Sequence, residues 1–548
     1  MPADRLLPRR PEALAARYRA AGAWGSTAIG AVLRATATRL PERVAVVDAE
    51  RRLTYAELDR QATAVACGLL DRGLRPGDAV VVQSGNVVET LVGFYGLLKS
   101  GLVPVCSLPQ HGRREVGDLI ALTGARAHLI QADWPRADLP ALAAELAQTH
   151  ESVRFTIAAR GSGGVTLDEL VAHPPGPLPD VGAEDLAVLQ LSGGTTGTPK
   201  LIPRLHCDYL CNARAWADRW DWDERTVAMH ALPVMHNAGI ALCVLPAMLT
   251  GATVVLAPRA DAEVIAGFVE RERVTDMVAN ATVAYRLLES EAARAADLSS
   301  LVRLNVGPQT PEYAARLESE LGIRALGVFG MGEGMIMGTP WDAPADARRT
   351  TVGTPIHPLD EVRILDDELA DVAPGEVGEL ACRGPYTIPG YFAAAEHNAV
   401  AFTPDGFFRT GDLARAHDVG GTTFYSIEGR IKDNVNRGGE KIHADELERI
   451  LVTHPGVAEV AVVGMPDPEL GERVCAYVVP RADVPVPTVA DLAEFLLAQG
   501  VAKFKLPERV EVRPELPVTS IRKVAKKRLR EDIAAKLARE RQARTVSR

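Results

Sequence analysis

The most informative segment of this sequence is Leu189-Gln-Leu-Ser-Gly-Gly-Thr-Thr-Gly-Thr-Pro-Lys200, which begins in an apolar run typical of a buried strand. The nine residues from Ser192 include three glycines, four hydroxyl side chains and a lysine. Glycines let the backbone approach an anion closely, amides and hydroxyls donate hydrogen bonds to phosphate oxygens, and the lysine adds a positive charge. A Walker A motif requires Gly directly before Lys, whereas Thr198 and Pro199 intervene in this chain. The segment therefore predicts a phosphate-binding loop of another kind.

The composition is that of an acidic globular protein. The 548 residues include 61 Lys plus Arg and 71 Asp plus Glu, for a formal net charge of −10, and 47% of them are apolar. This length predicts three or four structural units, and the average composition excludes disordered, collagen-like and coiled-coil classes. Phosphate neutralisation needs clustered Lys and Arg, so the absence of a long basic run excludes nucleic acid as the main partner. A small molecule or a protein is the expected partner.

The cysteines and apolar segments predict a soluble, cytoplasmic protein without membrane contact. An odd number of scattered cysteines, without CxxC spacing, is typical of reduced thiols, and no apolar segment follows the N-terminus to suggest a signal peptide. Residues 238–258 carry no charge and are long enough to span a bilayer, but Pro246, Gly251 and the β-branched run at 253–255 favour a buried helix followed by a buried strand. The cysteines are Cys67, Cys106, Cys207, Cys211, Cys243, Cys382 and Cys475.

Short apolar runs alternate with amphipathic stretches of helix length up to about residue 430. This alternation predicts α/β layers with mostly parallel sheets, in which ligands bind at the carboxyl ends of the strands. The expected strands are 44–47, 79–82, 103–106, 186–191, 253–256, 301–306 and 325–329, and the expected helices include 55–72, 262–272 and 313–321. Residues before about 25 are interpreted as a loosely attached arm.

A smaller α+β domain is expected after a boundary near residues 430–433. Polar and Gly-rich sequence begins after Gly421 and is followed by expected strands at 457–463 and 474–479 and helices at 489–497 and 526–537. Lys526 and Lys527 are interpreted as solvated helix charges, and the basic tail at 539–548 as frayed.

Four further motifs carry candidate functional residues. They are Val328-Phe-Gly-Met-Gly-Glu333, Gly406-Phe-Phe-Arg-Thr-Gly-Asp412, Glu428-Gly-Arg430 and Pro517-Val-Thr-Ser-Ile-Arg-Lys523. Together with the phosphate-binding segment, in this order, they resemble the motifs of the adenylate-forming superfamily, which holds acyl-CoA synthetases, adenylation domains of nonribosomal peptide synthetases and firefly luciferase. The resemblance covers about residues 25–538.

This resemblance implies an ATP-dependent enzyme with a large α/β body at 1–431, a hinge at Lys432 and a small mobile α+β domain at 433–548. Glu333 would hold Mg²⁺, a role that suits a carboxylate, Lys523 would bridge the attacking carboxylate and the α-phosphate, and Gly438 and Gly439 would leave room for a thiol arm. Gly332 stands where the family has Thr, and Arg522 where it has Gly. The implied ATP or AMP contacts are Ser192, Gly193, Gly194, Thr195, Thr196, Gly197, Thr198, Lys200, Gly307, Phe329, Gly330, Met331, Asp412 and Arg430.

The residues around His236 resemble those of stand-alone aryl-acid ligases, which activate 2,3-dihydroxybenzoate or salicylate in siderophore pathways. His236 matches a gate residue, and Asn237 stands where amino-acid-activating members place an Asp for the ammonium group. A neutral amide suits an ortho hydroxyl or ring heteroatom instead. Ala238 replaces an aromatic residue and so predicts room for a bulkier acid, of the hydroxyanthranilate or hydroxyquinaldate type. The implied substrate contacts are His236, Asn237, Ala238, Gly307, Gly332, Ile336 and Met337.

The expected reaction is adenylation of an aryl carboxylic acid followed by transfer to the phosphopantetheine thiol of a separate carrier protein. Lys523, Lys200 and His236 are the expected catalytic residues. Two alternatives stay open, namely an aryl-CoA ligase that uses free CoA and a catalytically silent adenylate-binding scaffold. His236 as a plain core histidine and Asn237 as a helix cap also stay open.

Overall fold

Runs of Val, Ile and Leu become the central strands of this protein because both faces of a parallel sheet are covered by helices. A computed structural model describes residues 7–192, 200–307, 311–437, 440–467, 470–482, 484–499, 501, 503–519 and 523–546. It divides into two compact units, Met1–Val362 with Cys382–Phe408 and Arg363–Ala381 with Arg409–Arg548. Each unit is described by itself.

The strands are numbered in chain order. They are β1 Val44–Val47, β2 Arg52–Thr54, β3 Ala79–Gln83, β4 Val103–Ser107, β5 Ala127–Gln131, β6 Phe155–Ala159, β7 Val165–Thr166, β8 Leu186–Leu191, β9 Leu201–Leu205, β10 Val227–His230, β11 Thr253–Leu256, β12 Asp276–Ala279, β13 Arg303–Val306, β14 Arg324–Gly330, β15 Ile336–Gly338, β16 Thr354–Pro355, β17 Glu361–Leu365, β18 Val377–Arg383, β19 Phe408–Val419, β20 Thr422–Arg430, β21 Val435–Arg437, β22 Glu440–Ile442, β23 Val457–Asp467, β24 Gly471–Pro480 and β25 Arg509–Val512.

The α-helices are numbered in chain order. Those before residue 409 alternate with the strands of the first unit, and the others belong to the second unit. They are α1 Glu12–Ala20, α2 Ile29–Arg39, α3 Tyr55–Asp71, α4 Val88–Lys99, α5 Arg113–Thr123, α6 Leu139–Thr149, α7 Leu167–Val171, α8 His206–Arg219, α9 Asn237–Gly239, α10 Leu245–Thr250, α11 Ala262–Glu272, α12 Ala281–Glu289, α13 Glu291–Ala295, α14 Pro311–Leu321, α15 Ala345–Thr350, α16 Ala395–Asn398, α17 Ala444–Leu451, α18 Val489–Ala498 and α19 Lys526–Val546. A π-helical turn covers Ile240–Val244, and 3₁₀ turns cover Ile431–Asp433 and Lys503–Lys505.

Two large sheets form the first unit. In the described residues one has the strand order β7-β6-β5-β3-β4-β8-β9, and the other has the order β16-β15-β14-β13-β12-β10-β11-β1-β2. Their central strands pair in parallel, whereas β9, β2, β15 and β16 pair antiparallel at the edges. The predicted α/β body with mostly parallel sheets is confirmed.

The second unit has a smaller α+β architecture. A sheet of order β22-β21-β24-β23, with β25 paired to β24, carries α17 and α18 on one face and α19 on the other. A second sheet has the order β17-β18-β19-β20. The last part of this compact unit begins at Arg409. A division by compactness does not show where the backbone rotates. The hinge at Lys432 and the boundaries 1–431 and 433–548 therefore stay predictions.

The apolar segment at 238–258 folds as expected from its Pro, Gly and β-branched residues. It forms α9, the π-helical turn, α10 and the buried strand β11. In the part of the chain that the structure describes, no helix combines the length and the hydropathy needed to cross a membrane.

All seven cysteines are free thiols and are buried. Burial raises the pKa of most of these thiols, which keeps them in the unreactive protonated form. The thiols with a raised pKa are those of Cys106, Cys207, Cys211, Cys243 and Cys475.

Three interpretations of charged and terminal segments were wrong. The N-terminal arm is held tightly, because Tyr18 and Trp24 are buried in the main core. Lys526 is not solvated, because it pairs with Asp445 at 2.6 Å and with Glu448 at 2.9 Å. The basic tail continues α19 as far as Val546 rather than fraying. Local composition could not show the tertiary contacts that hold Trp24 and Lys526.

Asp360 gives a testable pH dependence to the stability of the first unit. Tyr386 donates a hydrogen bond to one of its carboxylate oxygens, and burial raises the pKa of Asp360 to about 7. A raised carboxyl pKa means that the folded state favours the protonated acid. The stabilisation of the fold by protonated Asp360 is therefore complete below the unfolded pKa and is lost as the pH rises through 7. We expect Asp360→Asn to be more stable than wild type at pH 8, by about 2–4 kcal/mol, because three pKa units correspond to about 4 kcal/mol.

Calorimetric melting of the full chain checks this expectation. The stability advantage of Asp360→Asn should shrink as the pH is lowered from 8 to 5. An advantage that stays constant over that interval would contradict the assignment to Asp360.

Candidate active site

Glu333 lies at the tip of the hairpin formed by β14 and β15. The two strands pair antiparallel, with Gly330 opposite Ile336, and the Met331 amide donates to the Met335 carbonyl at 3.2 Å. Gly334 has φ +132°, and a Cβ there would lie only 2.0 Å from the Tyr386 carbonyl oxygen. The tight turn therefore requires glycine at this position, and it presents Glu333 at the end of β14.

The Glu333 carboxylate has one oxygen engaged by the protein. The Tyr391 hydroxyl donates to Oε1 at 2.6 Å, and the Ile388 amide donates to the Glu333 carbonyl at 2.8 Å. Burial and the Glu333 charge raise the pKa of Tyr391, so its hydroxyl stays protonated and able to donate. The second oxygen, Oε2, is directed by this bond and is a hard ligand of the type that Mg²⁺ uses.

The donor set agrees with a magnesium ion held together with substrate phosphates. In the described residues no cluster of three or more His, Cys, Asp or Glu side chains is arranged to hold a metal by itself. Magnesium is ordinarily bound by one or two carboxylates plus phosphate oxygens rather than by an all-protein cage. A single carboxylate such as Glu333 fits that mode.

Lys200 directly precedes β9 and extends toward the same group of side chains. Its Nζ lies 2.8 Å from His397 Nε2 and 5.1 Å from the centre of the Tyr391 ring. Burial, and then the Lys200 charge, lower the pKa of His397, so the neutral imidazole accepts from the ammonium. The Ser192 amide donates to the Lys200 carbonyl at 3.0 Å, which closes the two ends of the phosphate-binding segment.

Several predicted contacts of the phosphate-binding segment lie outside the described residues. The residues concerned lie outside the described part of the chain, and their contacts with ATP stay predictions. They are Gly193, Gly194, Thr195, Thr196, Gly197 and Thr198.

Asn237 lies in a buried network of polar side chains. Its Oδ1 accepts from the Tyr209 hydroxyl at 2.8 Å and from Arg204 Nη1 at 3.5 Å. Arg204 is fully buried and pairs with Asp208 at 2.8 Å. An arginine can only donate, so the carbonyl oxygen of Asn237 must face Arg204, and the NH₂ group is the end that is left for a ligand. His236, rather than Asn237, caps α9, because its Nδ1 accepts from the Ala238 amide at 3.3 Å.

Gly332 lies next to this network. Its carbonyl accepts from Arg204 at 3.2 Å, and a Cβ at residue 332 would lie 3.9 Å from Asn237 Cβ and 2.6 Å from Ile202 Cδ1. The Ile202 methyl therefore occupies the space that the family's Thr side chain would need. Gly307 follows β13, and no atom of the described residues lies within 4 Å of a Cβ built at this position.

Other predicted contacts of the first unit lie in or beside β14 and β15, where Phe329, Ile336 and Met337 are buried, Met331 is half-buried and Gly330 is exposed. Phe329 pairs with Met337, and Ile336 packs in the main core. Ile336 and Met337 are adjacent in β15, so their side chains point to opposite faces of the sheet, and only one of them can face a given pocket. Which of these residues contacts the acid stays a prediction, as it does for Ala238.

Two family models match most of the chain. A model described as AMP-binding enzyme matches residues 33–392, and one described as AMP-binding enzyme C-terminal domain matches residues 446–523. The chain belongs to the AMP-binding enzyme family. The predicted resemblance to adenylate-forming enzymes is thereby confirmed.

This AMP-binding enzyme is similar to known synthases and ligases over nearly its whole length. It is 42% identical over 538 residues to pyochelin synthase PchD of Pseudomonas aeruginosa, with 97% of each chain covered. It is 39% identical over 531 residues to the 2,3-dihydroxybenzoate-AMP ligase of Bacillus subtilis, with 96% of this chain and 97% of that one covered. The apo structure of Mycobacterium smegmatis MbtA matches with a TM-score of 0.74 and 37% identity, over 96% and 99% of the two chains.

The second unit of the AMP-binding enzyme holds the remaining predicted residues. Asp412 and Arg430 stand opposite each other in the β19–β20 ladder and form an ion pair of 2.8 Å. Lys523 is exposed, and its amide donates to Thr519 Oγ1 at 3.2 Å. The structure therefore pairs two of the predicted ATP or AMP contacts and places Lys523 at the surface of its unit. Gly438, Gly439 and Arg522 lie outside the described residues, as does the side chain of Lys432.

Sequence reasoning missed Tyr391 and His397, the direct partners of Glu333 and Lys200. A signal was available, because the stretch Gly384-Pro-Tyr-Thr-Ile-Pro-Gly390, which resembles one in the stand-alone aryl-acid ligases, directly precedes Tyr391. Nothing in that local sequence, however, indicates which distant side chains it meets.

Proposed function

We propose that this AMP-binding enzyme activates an aryl carboxylic acid with an ortho hydrogen-bond acceptor and transfers the acyl group to a phosphopantetheine thiol. The observation that carries the proposal is the fixed orientation of Asn237. Because Arg204 and Tyr209 engage its carbonyl oxygen, its NH₂ group is left to bind an ortho hydroxyl oxygen or ring nitrogen. An ammonium group would find no carboxylate at this position, which argues against an amino acid substrate.

In the first half-reaction a carboxylate oxygen of the acid attacks the α-phosphorus of ATP, and the bond from that phosphorus to the bridging oxygen breaks to release pyrophosphate. Lys200 and the loop from Ser192 would hold the phosphates. Asp412 would hold the ribose, and Arg430 would reach the same ribose or the phosphates. Lys523 would neutralise charge between the carboxylate and the α-phosphate. Glu333 would hold Mg²⁺, which supplies charge neutralisation at the phosphate oxygens when bound.

In the second half-reaction the thiol sulfur attacks the acyl carbon of the adenylate, AMP leaves, and the thiol proton passes to solvent. A rotation about Lys432 would remove Lys523 and bring Gly438 and Gly439 to the thiol. The acceptor we propose is a carrier protein. An assay that offers both free CoA and a phosphopantetheinylated aryl carrier protein separates this proposal from a CoA ligase, since thioester should form preferentially on the carrier. Preferential formation of acyl-CoA would favour the ligase.

ATP–pyrophosphate exchange over a panel of acids tests the acid class. Acids with an ortho hydroxyl should be activated about 100-fold or more faster than benzoate, because a site built to hydrogen-bond a substrate group rejects the analogue that lacks it. Equal rates for salicylate and benzoate would refute the role of Asn237.

The same panel tests the size of the pocket. Ala238 in place of an aromatic residue leaves room for a substituted hydroxyanthranilate or a hydroxyquinaldate. If exchange is fastest with salicylate and negligible with every bicyclic acid, the argument from Ala238 fails while the adenylation proposal stands.

A further inference from the structure

Residues 384–398, which we call the positioning segment, contact both charged groups of the expected ATP site. The segment approaches Glu333 through Ile388 and Tyr391 and approaches Lys200 through His397. Both charged groups are thus held by one short stretch of chain within the first unit.

The backbone of Tyr391 is fixed on two sides. Asn398 Oδ1 accepts from the Tyr391 amide at 2.8 Å, and Asn398 Nδ2 donates to the Tyr391 carbonyl at 2.9 Å. The next amide, that of Phe392, donates to the Leu201 carbonyl at 2.9 Å. Because Leu201 follows Lys200, the same backbone pairing sets the distance between Tyr391 and the start of β9.

The start of the positioning segment is anchored by the N-terminal arm. Trp24 Nε1 donates to the Pro385 carbonyl at 2.8 Å, and the Arg10 guanidinium donates to the carbonyls of Gly384 and Thr387. Arg10 also lies 5.3 Å from the centres of the Tyr18 and Trp24 rings. The segment therefore has little freedom to shift with respect to the rest of the unit.

We propose that Tyr391 and His397 are positioning residues for the adenylation step, with Tyr391 orienting the Glu333 carboxylate and His397 holding the Lys200 ammonium. This inference rests on the proposed function. In the proposed reaction, neither the Tyr391 nor the His397 side chain touches the reacting atoms. Each restricts the rotamers of a charged group that has several rotatable bonds, so that the group reaches the ATP phosphates already oriented.

Loss of the Tyr391 hydroxyl should act through the metal. With Tyr391→Phe the ring and its packing remain, but Oε1 of Glu333 loses its donor, and the carboxylate can rotate. Removal of such an outer contact lowers metal affinity by about 10- to 100-fold in other metal sites. We expect calorimetric titration to show that the increase in ATP affinity caused by Mg²⁺ is about 10-fold smaller in this variant than in wild type. The ATP affinity measured without metal should be unchanged.

Loss of the His397 acceptor should act through Lys200 and should not depend on the metal. His397→Leu is expected to weaken ATP binding about equally with and without Mg²⁺. His397→Gln, whose amide oxygen can accept from the Lys200 ammonium, should restore most of the affinity. A purely structural role would not distinguish Leu from Gln in this way, and equal affinities for the two variants would overturn the role of His397.

Matched controls separate a positioning effect from misfolding and from failure of the proposed function. Tyr285→Phe removes the same hydroxyl from α12 and should leave ATP binding unchanged. Glu333→Gln should abolish most of the magnesium effect, and Tyr391→Phe should add nothing further in that background, because the two residues act as one unit.

The outcomes are distinguishable. If Glu333→Gln leaves both exchange and the magnesium effect intact, the proposed metal role of Glu333 fails. If Glu333→Gln abolishes them but Tyr391→Phe behaves as wild type, the positioning role of Tyr391 fails while the proposed function survives.

Discussion

Lys523→Ala should reduce ATP–pyrophosphate exchange by about 100- to 1000-fold, the usual effect of removing one group that stabilises charge in a transition state. Lys523 is exposed on the second unit, so its replacement removes a charge without leaving a cavity. ATP binding should persist, because Lys200 and the phosphate-binding segment do not depend on it. Exchange rates and calorimetric ATP affinities on the same preparation check both expectations.

Two comparisons make this result specific. Lys527→Ala removes a lysine four residues further along, whose side chain is 49% exposed, and should leave exchange unchanged. Transfer from a synthetic aryl adenylate to the thiol should survive Lys523→Ala within a few-fold, because the second half-reaction that we propose does not use Lys523. Undiminished exchange in Lys523→Ala would remove Lys523 from the mechanism.

Lys526→Met should destabilise the second unit by about 1–3 kcal/mol, because it leaves two half-buried carboxylates without their hydrogen-bond donor. The Lys526 ammonium lies between Asp445 and Glu448 of α17 and so joins α19 to that helix. Burial raises the pKa of Glu448 to about 7, and the nearby ammonium opposes that rise. Without it, the acid is favoured only when protonated, so the destabilisation should grow as the pH rises from 6 to 8.

Lys527→Met is the matched control for this prediction. The same substitution one residue along, on a half-exposed side chain, should change stability by less than about 0.5 kcal/mol. Chemical denaturation of the full chain, followed by a probe in the second unit, measures both variants. Similar stabilities for Lys526→Met and Lys527→Met would contradict the contribution assigned to the contacts of Lys526 with Asp445 and Glu448.

The sequence predicted those features that depend on local patterns. Strand candidates such as 44–47, 186–191 and 253–256 coincide with β1, β8 and β11, because continuous apolar runs of this length are stable only when both faces are covered. The end of α3 was misplaced by one residue, and β13 begins two residues later than expected, since element ends depend on pairing as well as on composition.

Features that depend on distant partners could not be read from the sequence. Lys526 has the local pattern of a solvated helix residue, and only the packing of α17 against it shows that its ammonium is paired with Asp445 and Glu448. His397 meets Lys200 across 197 positions, and Tyr391 meets Glu333 across 58. The motifs identified which residues carry the charge, whereas the groups that orient them are defined only by the fold.

The burial of all seven native thiols makes the wild-type chain a silent background for thiol-directed dyes. A maleimide needs an accessible thiolate, and these buried cysteines do not offer one. Dyes would then label two introduced cysteines. One is Val400→Cys in the first unit, where Val400 is 65% exposed, and the other is Lys527→Cys in the second unit. Energy transfer between a donor and an acceptor dye at these positions would then follow the two units through a complete catalytic cycle, in a protein with every native cysteine in place.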